Sequence, residues 1–212
     1  MEENKLLEIN EANWDRWASS MDSNGMRYKY LRKCQRGVIS LLDLKENLTV
    51  LDIGCGTGWA LGQIAKMVNS NGSFYGVDLS TQMIERAKEK FTDNKQFHFV
   101  KSNAESIPFD NDLFDIIICS NSFHHYLNPD KALKEMYRLL KSGGKAFILD
   151  PTGDSLIMKI IDNLTNIFDH SHVKFYSSKE FEKLILDSGL SYLGCKKIEM
   201  HQKVHIGDKK YF

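Results

Sequence analysis

The chain has 212 residues, 42% hydrophobic and 26% charged, enough for one domain with a substantial core and too short for two full ones. Lys plus Arg and Asp plus Glu both number 28, so no global basic field draws a nucleic acid to the surface. Cys34, Cys55, Cys119 and Cys195 are scattered, without a C-x-x-C pair, which argues for reduced thiols in a cytoplasmic protein. There is no positively charged start before an apolar core and no apolar run of about 18 residues, so neither secretion nor a membrane span is expected.

In chain order, residues 3–20 are polar with Leu6, Leu7, Ile9, Trp14 and Trp17 interspersed. That is an amphipathic helix pattern, which the stretch from Ser19 to Asn24 and Gly25 breaks. A second helical pattern covers 28–42, and together they read as a helical lid over 1–45. Thr49 to Leu61, TVLDIGCGTGWAL, joins a β-branched and aliphatic strand to a glycine turn and a helix start. Ser73 to Val77 is a second strand ending at Asp78, Gln96 to Val100 a third, and Leu113 to Cys119 a fourth. The fourth carries three consecutive isoleucines, as a strand buried on both faces does. A helix follows over 129–140, with Pro129 in its first turn and Gly143-Gly144 at its end, then a fifth strand from Lys145 to Leu149. Residues 154–168 have apolar side chains at helical spacing and form a candidate substrate lid within 151–176. A helix from Ser177 to Ser188 and a hairpin over 190–211 complete the chain. Strands alternating with helices specify a parallel sheet with right-handed crossovers. The expected fold is α/β: a single domain holding a doubly wound, Rossmann-like seven-stranded sheet, mostly parallel with a C-terminal antiparallel hairpin, and a cofactor-binding core over 46–150.

Charge says what the glycine loop holds. Gly54, Gly56 and Gly58 let the backbone turn sharply against a ligand, but a dinucleotide fingerprint wants its third glycine one residue later, where Trp59 stands. Asp52 precedes the first glycine by two residues, and a carboxylate about 4 Å from a phosphate costs about 4 kcal/mol at an effective dielectric of 20. A cationic ligand turns that cost into attraction. S-adenosylmethionine carries an ammonium and a sulfonium and no phosphate. Asp78, about 20 residues on, suits the two ribose hydroxyls that nicotinamide and adenosyl ligands share; capping the helix that follows Ser80 is its other role. A nicotinamide-dependent oxidoreductase is therefore the weaker alternative.

The segments VLDIGCGTG at 50–58, GVDLS at 76–80, NAESIPF at 103–109, FDIIICSNSFHHY at 114–126 and LKSGGKAFILD at 140–150 occur in the order that resembles the class I S-adenosylmethionine-dependent methyltransferases, in their small-molecule, quinone-biosynthesis-like branch. The resemblance covers roughly 45–200. It implies that Asp52, Gly54, Cys55 and Gly56 line the methionine end, Asp78 holds the ribose hydroxyls and Leu79 packs on adenine. Asn103 stands where the family commonly has Asp against the adenine amino group, Ala104 offers a backbone N–H, and Ser120 faces the methionine portion. Tyr28 of the lid is a further candidate contact. Ser120-Asn121-Ser122-Phe123 departs from the Asn/Asp-Pro-Pro-aromatic run of enzymes that methylate DNA bases.

Methyl transfer from a sulfonium is an in-line displacement in which positioning supplies most of the catalysis. Where the acceptor is a hydroxyl or an acidic carbon, a base must take its proton, and His124 and His125 after the fourth strand are the candidates. No metal site is expected: His170 and His172 share an H-x-H spacing, but no third ligand lies near them in sequence. The expected partner is a small-molecule substrate, with no nucleic acid and no membrane span, and a homo-oligomer stays open. A noncatalytic cofactor-binding subunit is the second class of reading. Residues 1–45 and 151–176 are expected to form a mobile cover, with Trp14, Trp17, Tyr28, Leu156, Ile160 and Phe168 as its apolar surface.

Overall fold

The computed structural model describes residues 2–23, 25–68, 72–169 and 171–211; His170 of the H-x-H pair and Asn24 of the expected break lie outside them. Strand β1 (Thr49–Ile53) pairs in parallel with β2 (Ser73–Asp78) on one side and β4 (Phe114–Ser120) on the other. β3 (Phe97–Lys101) extends the sheet beyond β2, and β5 (Leu140–Pro151) lies beyond β4. The hairpin of β6 (Ser191–Glu199) and β7 (Gln202–Asp208) closes the other edge, β7 antiparallel to β5. The order β3-β2-β1-β4-β5-β7-β6 reverses direction beside β1, and the crevice at the carboxyl ends of β1 and β4 is where such sheets take ligands.

The isoleucine run of β4 has a simple cause. Ile117 and Cys119 belong to the core on the face covered by α5 (Pro129–Leu139) and α7 (Ser178–Asp187). Ile116 and Ile118 belong to the opposite core, under α2 (Met26–Ile39), α3 (Trp59–Met67) and α4 (Thr81–Lys90). Side chains alternate along a strand, so a strand covered on both faces needs apolar residues at every position, each contributing about 1.5–3 kcal/mol when fully buried.

The diglycine differs from expectation. Helix α5 ends at Leu139 with Leu140 as its C-cap, and β5 begins there rather than at Lys145. Gly143, at φ 81°, donates its N–H to the Lys209 carbonyl (2.6 Å), and Gly144 accepts from Lys209 N–H. The pair thus kinks the start of β5 against the chain end instead of capping the helix.

The N-terminal helix α1 (Glu2–Ala18) lies against α4, and carboxylates fix it there. Asp15 accepts from Ser80 Oγ (2.5 Å) and Gln82 N–H (3.1 Å), and Glu11 accepts from Thr81 Oγ1 (2.8 Å) and Lys101 Nζ. Just beyond α1, Asp22 accepts from Thr57 Oγ1 of the glycine loop (3.0 Å) and Lys90 Nζ (2.9 Å). Among the described residues no helix is long and apolar enough to cross a membrane.

Candidate active site

At the crevice lies a cavity of about 310 Å³, in the range of small-molecule sites. One end of its wall is the glycine loop. Gly54 and Gly56 have φ of 75° and 53°, in the left-handed region where a side chain is strained. A Cβ on Gly54 would also stand 2.4 Å from Ser122 Oγ. The loop is tied to the second strand by the N–H groups of Gly54 and Cys55, both donating to the Val77 carbonyl (2.8 and 3.0 Å).

Asp78, at the end of β2, accepts from Gly56 N–H (2.8 Å) and Ser80 N–H (2.9 Å). It does not cap α4: Ser80 does so with its own hydroxyl, accepting from Met83 N–H. Burial raises the Asp78 carboxyl above its ordinary value while those two amides pull it down. Each carboxylate oxygen keeps a further lone pair for a ligand hydroxyl.

Gly54, Cys55, Gly56, Asp78, Leu79, Asn103, Ala104, Ser120 and Tyr28 all line this cavity, so the structure brings these expected cofactor residues together. Asp52 is the exception. Its side chain is 1% exposed, neither oxygen has a partner among the described residues, and it is absent from the cavity wall. Burial first, and the charge of Asp78 second, push its carboxyl up to about 8. Asn103 is already engaged, its amide oxygen accepting from Glu105 N–H (3.1 Å), and one lone pair remains. The Tyr28 hydroxyl bonds Ser20 Oγ (2.6 Å), which leaves its ring as the cavity surface.

The wall also carries His124 and His125, on a single 3-10 turn (Phe123–His125) after β4. His124 Nδ1 is 2.8 Å from Asp150 Oδ1 and His125 Nδ1 is 2.8 Å from the Ser171 carbonyl. Burial drives both imidazoles down to about 3, helped at His124 by His172 and at His125 by His124. Burial thus favours the neutral form of both rings. Burial equally raises the Asp150 carboxyl, so the His124–Asp150 pair avoids separated charge until a proton arrives.

Several wall residues lay outside the sequence argument. Asn10, Met21, Arg27 and Arg32 come from the lid, Phe175 from the loop before α7 and Gln202 from β7. Asn10 Oδ1, Ser120 Oγ, Asn121 Nδ2 and Gln202 Oε1 are buried without a partner among the described residues. Gln202 has no local signal at all; only the β5–β7 register, which sets it opposite Pro151, brings it to the cavity. By contrast Leu156, Ile160 and Phe168 do not line it.

The donor set fits an adenosyl amino acid. Asp78 offers acceptors for paired hydroxyls, while the Ser120 hydroxyl and Asn121 amide are unused polar groups beside a loop too tight at Gly54 for any side chain. Residues 51–148 match the family model of a methyltransferase domain. The chain is 29% identical over 174 residues to the ubiquinone/menaquinone biosynthesis C-methyltransferase UbiE of Vibrio campbellii, covering 80% of this chain and 64% of the relative. It is 31% identical over 166 residues to the uncharacterized methyltransferase YcgJ of Bacillus subtilis, covering 76% and 64%. It thus spans about 64% of the length of these curated relatives. The solved YcgJ structure superposes with a TM-score of 0.70 at 28% identity, over 78% of this chain and 71% of that one. A methyltransferase solved with the Haloferax volcanii Trm112 methyltransferase activator superposes with a TM-score of 0.82 over 93% and 98%, at 19% identity that speaks to fold alone. The chain thus carries a methyltransferase domain over 51–148, and its sheet order and glycine loop are similar to those of the class I S-adenosylmethionine-dependent methyltransferases, UbiE and YcgJ among its relatives.

Proposed function

We propose that the protein transfers a methyl group to a small organic molecule bound between its glycine loop and the His124–His125 turn. The observation that carries this reading is one cavity lined both by Asp78 and the glycine loop and by a carboxylate-backed imidazole. S-adenosylmethionine, when bound, supplies the methyl group on an electrophilic sulfonium. Asp78 accepts the ribose hydroxyls, Leu79 and Ala104 flank the base, and Ser120 and Asn121 meet the amino-acid end. His124 takes the proton of a hydroxyl or acidic-carbon acceptor, and Asp150 holds the ring and offsets the charge of the imidazolium. Trp14, Trp17 and Phe175 in the wall keep water from the reacting pair.

Titration calorimetry tests the cofactor half. The demethylated cofactor product should bind and raise the melting temperature, since a ligand of the native state alone shifts unfolding, and NAD should do neither. Asp78→Asn should weaken binding by about 1.5–3 kcal/mol, or about 10- to 150-fold, with the fold intact; stronger binding of NAD would overturn the assignment. Incubation with a labelled methyl donor and a metabolite extract tests the other half. Binding without label transfer to any small molecule would leave a noncatalytic subunit. Given an acceptor, His124→Gln should lower turnover by about 10²- to 10⁴-fold without changing cofactor affinity.

A further inference from the structure

Two stretches far apart in sequence bring three imidazoles together at the acceptor end. His124 and His125 sit on the turn after β4, and His172 on the loop between α6 (Leu156–Phe168) and α7. One ring nitrogen of each lies within 4.8 Å of the other two. The ring centroids are 3.9 Å apart for His124–His125, 5.6 Å for His124–His172 and 6.3 Å for His125–His172.

Each ring is held from behind by an oxygen. His124 Nδ1 meets Asp150 Oδ1 at 2.8 Å, His125 Nδ1 meets the Ser171 carbonyl at 2.8 Å, and His172 Nε2 meets Asp162 Oδ1 at 2.6 Å. These bonds consume one nitrogen per ring and leave Nε2 of His124, Nε2 of His125 and Nδ1 of His172. The last is buried and has no hydrogen-bond partner among the described residues. Packing explains why the His172 ring is there, 4.4 Å from the Phe175 ring. It does not explain a buried, unpaired nitrogen, which is rare in folded proteins.

An imidazole whose second nitrogen is fixed by a carboxylate or a backbone carbonyl is the usual arrangement of a metal-ligating histidine. We infer that His124 Nε2, His125 Nε2 and His172 Nδ1 form a three-imidazole site for a divalent transition cation, zinc or cobalt in type, opening on the cavity that His124 and His125 line. Three neutral nitrogen donors suit these ions, whereas magnesium and calcium want oxygen ligands. Zinc–nitrogen bonds of about 2.0–2.1 Å place tetrahedral ligands about 3.3 Å apart, so the rings must turn inward from their present spacing to close the set. Three nitrogens leave a fourth position, which an oxygen-bearing ligand in the cavity can fill. The cation takes the lone pair that His124 offers to a proton in the proposed methyl transfer, so the metal-loaded protein should be impaired in that step.

Cobalt titration of the full chain, stripped with chelator and free of any histidine tag, tests the site without cofactor or substrate. Its outcome is therefore independent of whether methyl transfer occurs. The expected result is the visible d–d absorption of four-coordinate cobalt, saturating at one equivalent and displaced by zinc. His172→Ala should lower cobalt affinity at least tenfold. Asp162→Asn, which keeps the ring and removes only its supporting charge, should lower it about 10- to 100-fold. Should His172→Ala fail to fold, as judged by its metal-free melt, Asp162→Asn and His125→Gln carry the test. No d–d band at one equivalent, or undiminished affinity in the folded variants, would overturn the inference.

Discussion

Residues 1–45 and 151–176 both flank the sheet-forming core and both carry apolar helical patterns, yet they meet the cavity differently. Helix α1 is held by side chains that reach across it: Glu11 and Asp15 bond the first turn of α4, and Asp22 bonds Thr57 of the glycine loop. Its Asn10, Trp14 and Trp17 line the cavity. Helix α6 instead exposes Leu156, Ile157, Ile160, Leu164, Ile167 and Phe168, with Met158 as its buried residue. The second segment reaches the site by its ends, through Pro151 and Phe175, and by Asp162, which accepts from Phe175 N–H (2.7 Å) and faces His172. Apolar periodicity marks a helix with a face to bury, but the polar side chains decide where that face is docked.

The largest effect should follow from undocking α1. Glu11→Ala with Asp15→Ala removes three bonds from the α1–α4 contact and the pair between Glu11 and Lys101 at the end of β3. Charge-assisted bonds contribute about 1.5–3 kcal/mol each when well buried, and those here are partly solvated and worth less. An approximately tenfold loss of affinity for the demethylated cofactor product, measured by calorimetry, is expected. The corresponding substitution in the second segment, Asp162→Asn, should leave that affinity unchanged, because Asp162 bonds His172 and the Phe175 amide rather than the glycine loop or α4. Equal losses would erase the distinction between the two segments.

An intermediate effect is expected in hydrogen exchange. A cover that closes over a filled site exchanges quickly when the site is empty and slowly when it is filled. Amides of α1 and α2 should gain about tenfold or more in protection with the demethylated cofactor product, and those of α6 should change little. Strong protection of α1 in both states would make it fixed scaffold, and ligand-dependent protection across α6 would restore it as part of the cover.

How much of this was legible in the sequence depends on whether the signal is local. The strand–loop–helix at 49–61, the alternation of elements and the acid at the end of β2 are read from residues adjacent in sequence, and each stands where expected. Asp52 was legible as a charge but not as a depth: neither its spacing nor its charge says that the carboxylate tucks beneath the loop. The diglycine reads as a helix stop, and the Lys209 backbone, sixty-odd residues on, makes it the kinked start of β5. The imidazole cluster was least legible. His124 and His125 are visible as a pair, but His172 joins them only through the path of the α6–α7 loop; Asp150 ends the segment 140–150 with nothing in it to pair it with an imidazole, and Asp162 carries no motif. Gln202 reaches the cavity by strand register, which no local pattern encodes.

The smallest effect should come from the exposed side chains of α6. Leu156→Ser, Ile167→Ser and Phe168→Ser each replace a side chain that is mostly in solvent, Phe168 being 82% exposed. No cavity is created and no polar group is buried, so each change in stability should stay within about 0.5 kcal/mol. Cofactor affinity should not move, because none of the three lines the cavity. Ile161→Ser is the internal control, since Ile161 is the most sheltered of these exposed residues at 39% and should cost more than the others. The helix itself should persist in all four variants, for Ser155 caps it by accepting from Met158 N–H (3.2 Å) and Asp162 anchors it to Phe175 and His172. Denaturant melts and calorimetry on the four proteins give the comparison directly. A loss of cofactor affinity in Leu156→Ser or Phe168→Ser, with stability unchanged, would mean that α6 folds down over the cavity in solution and that its apolar side chains meet the ligand after all.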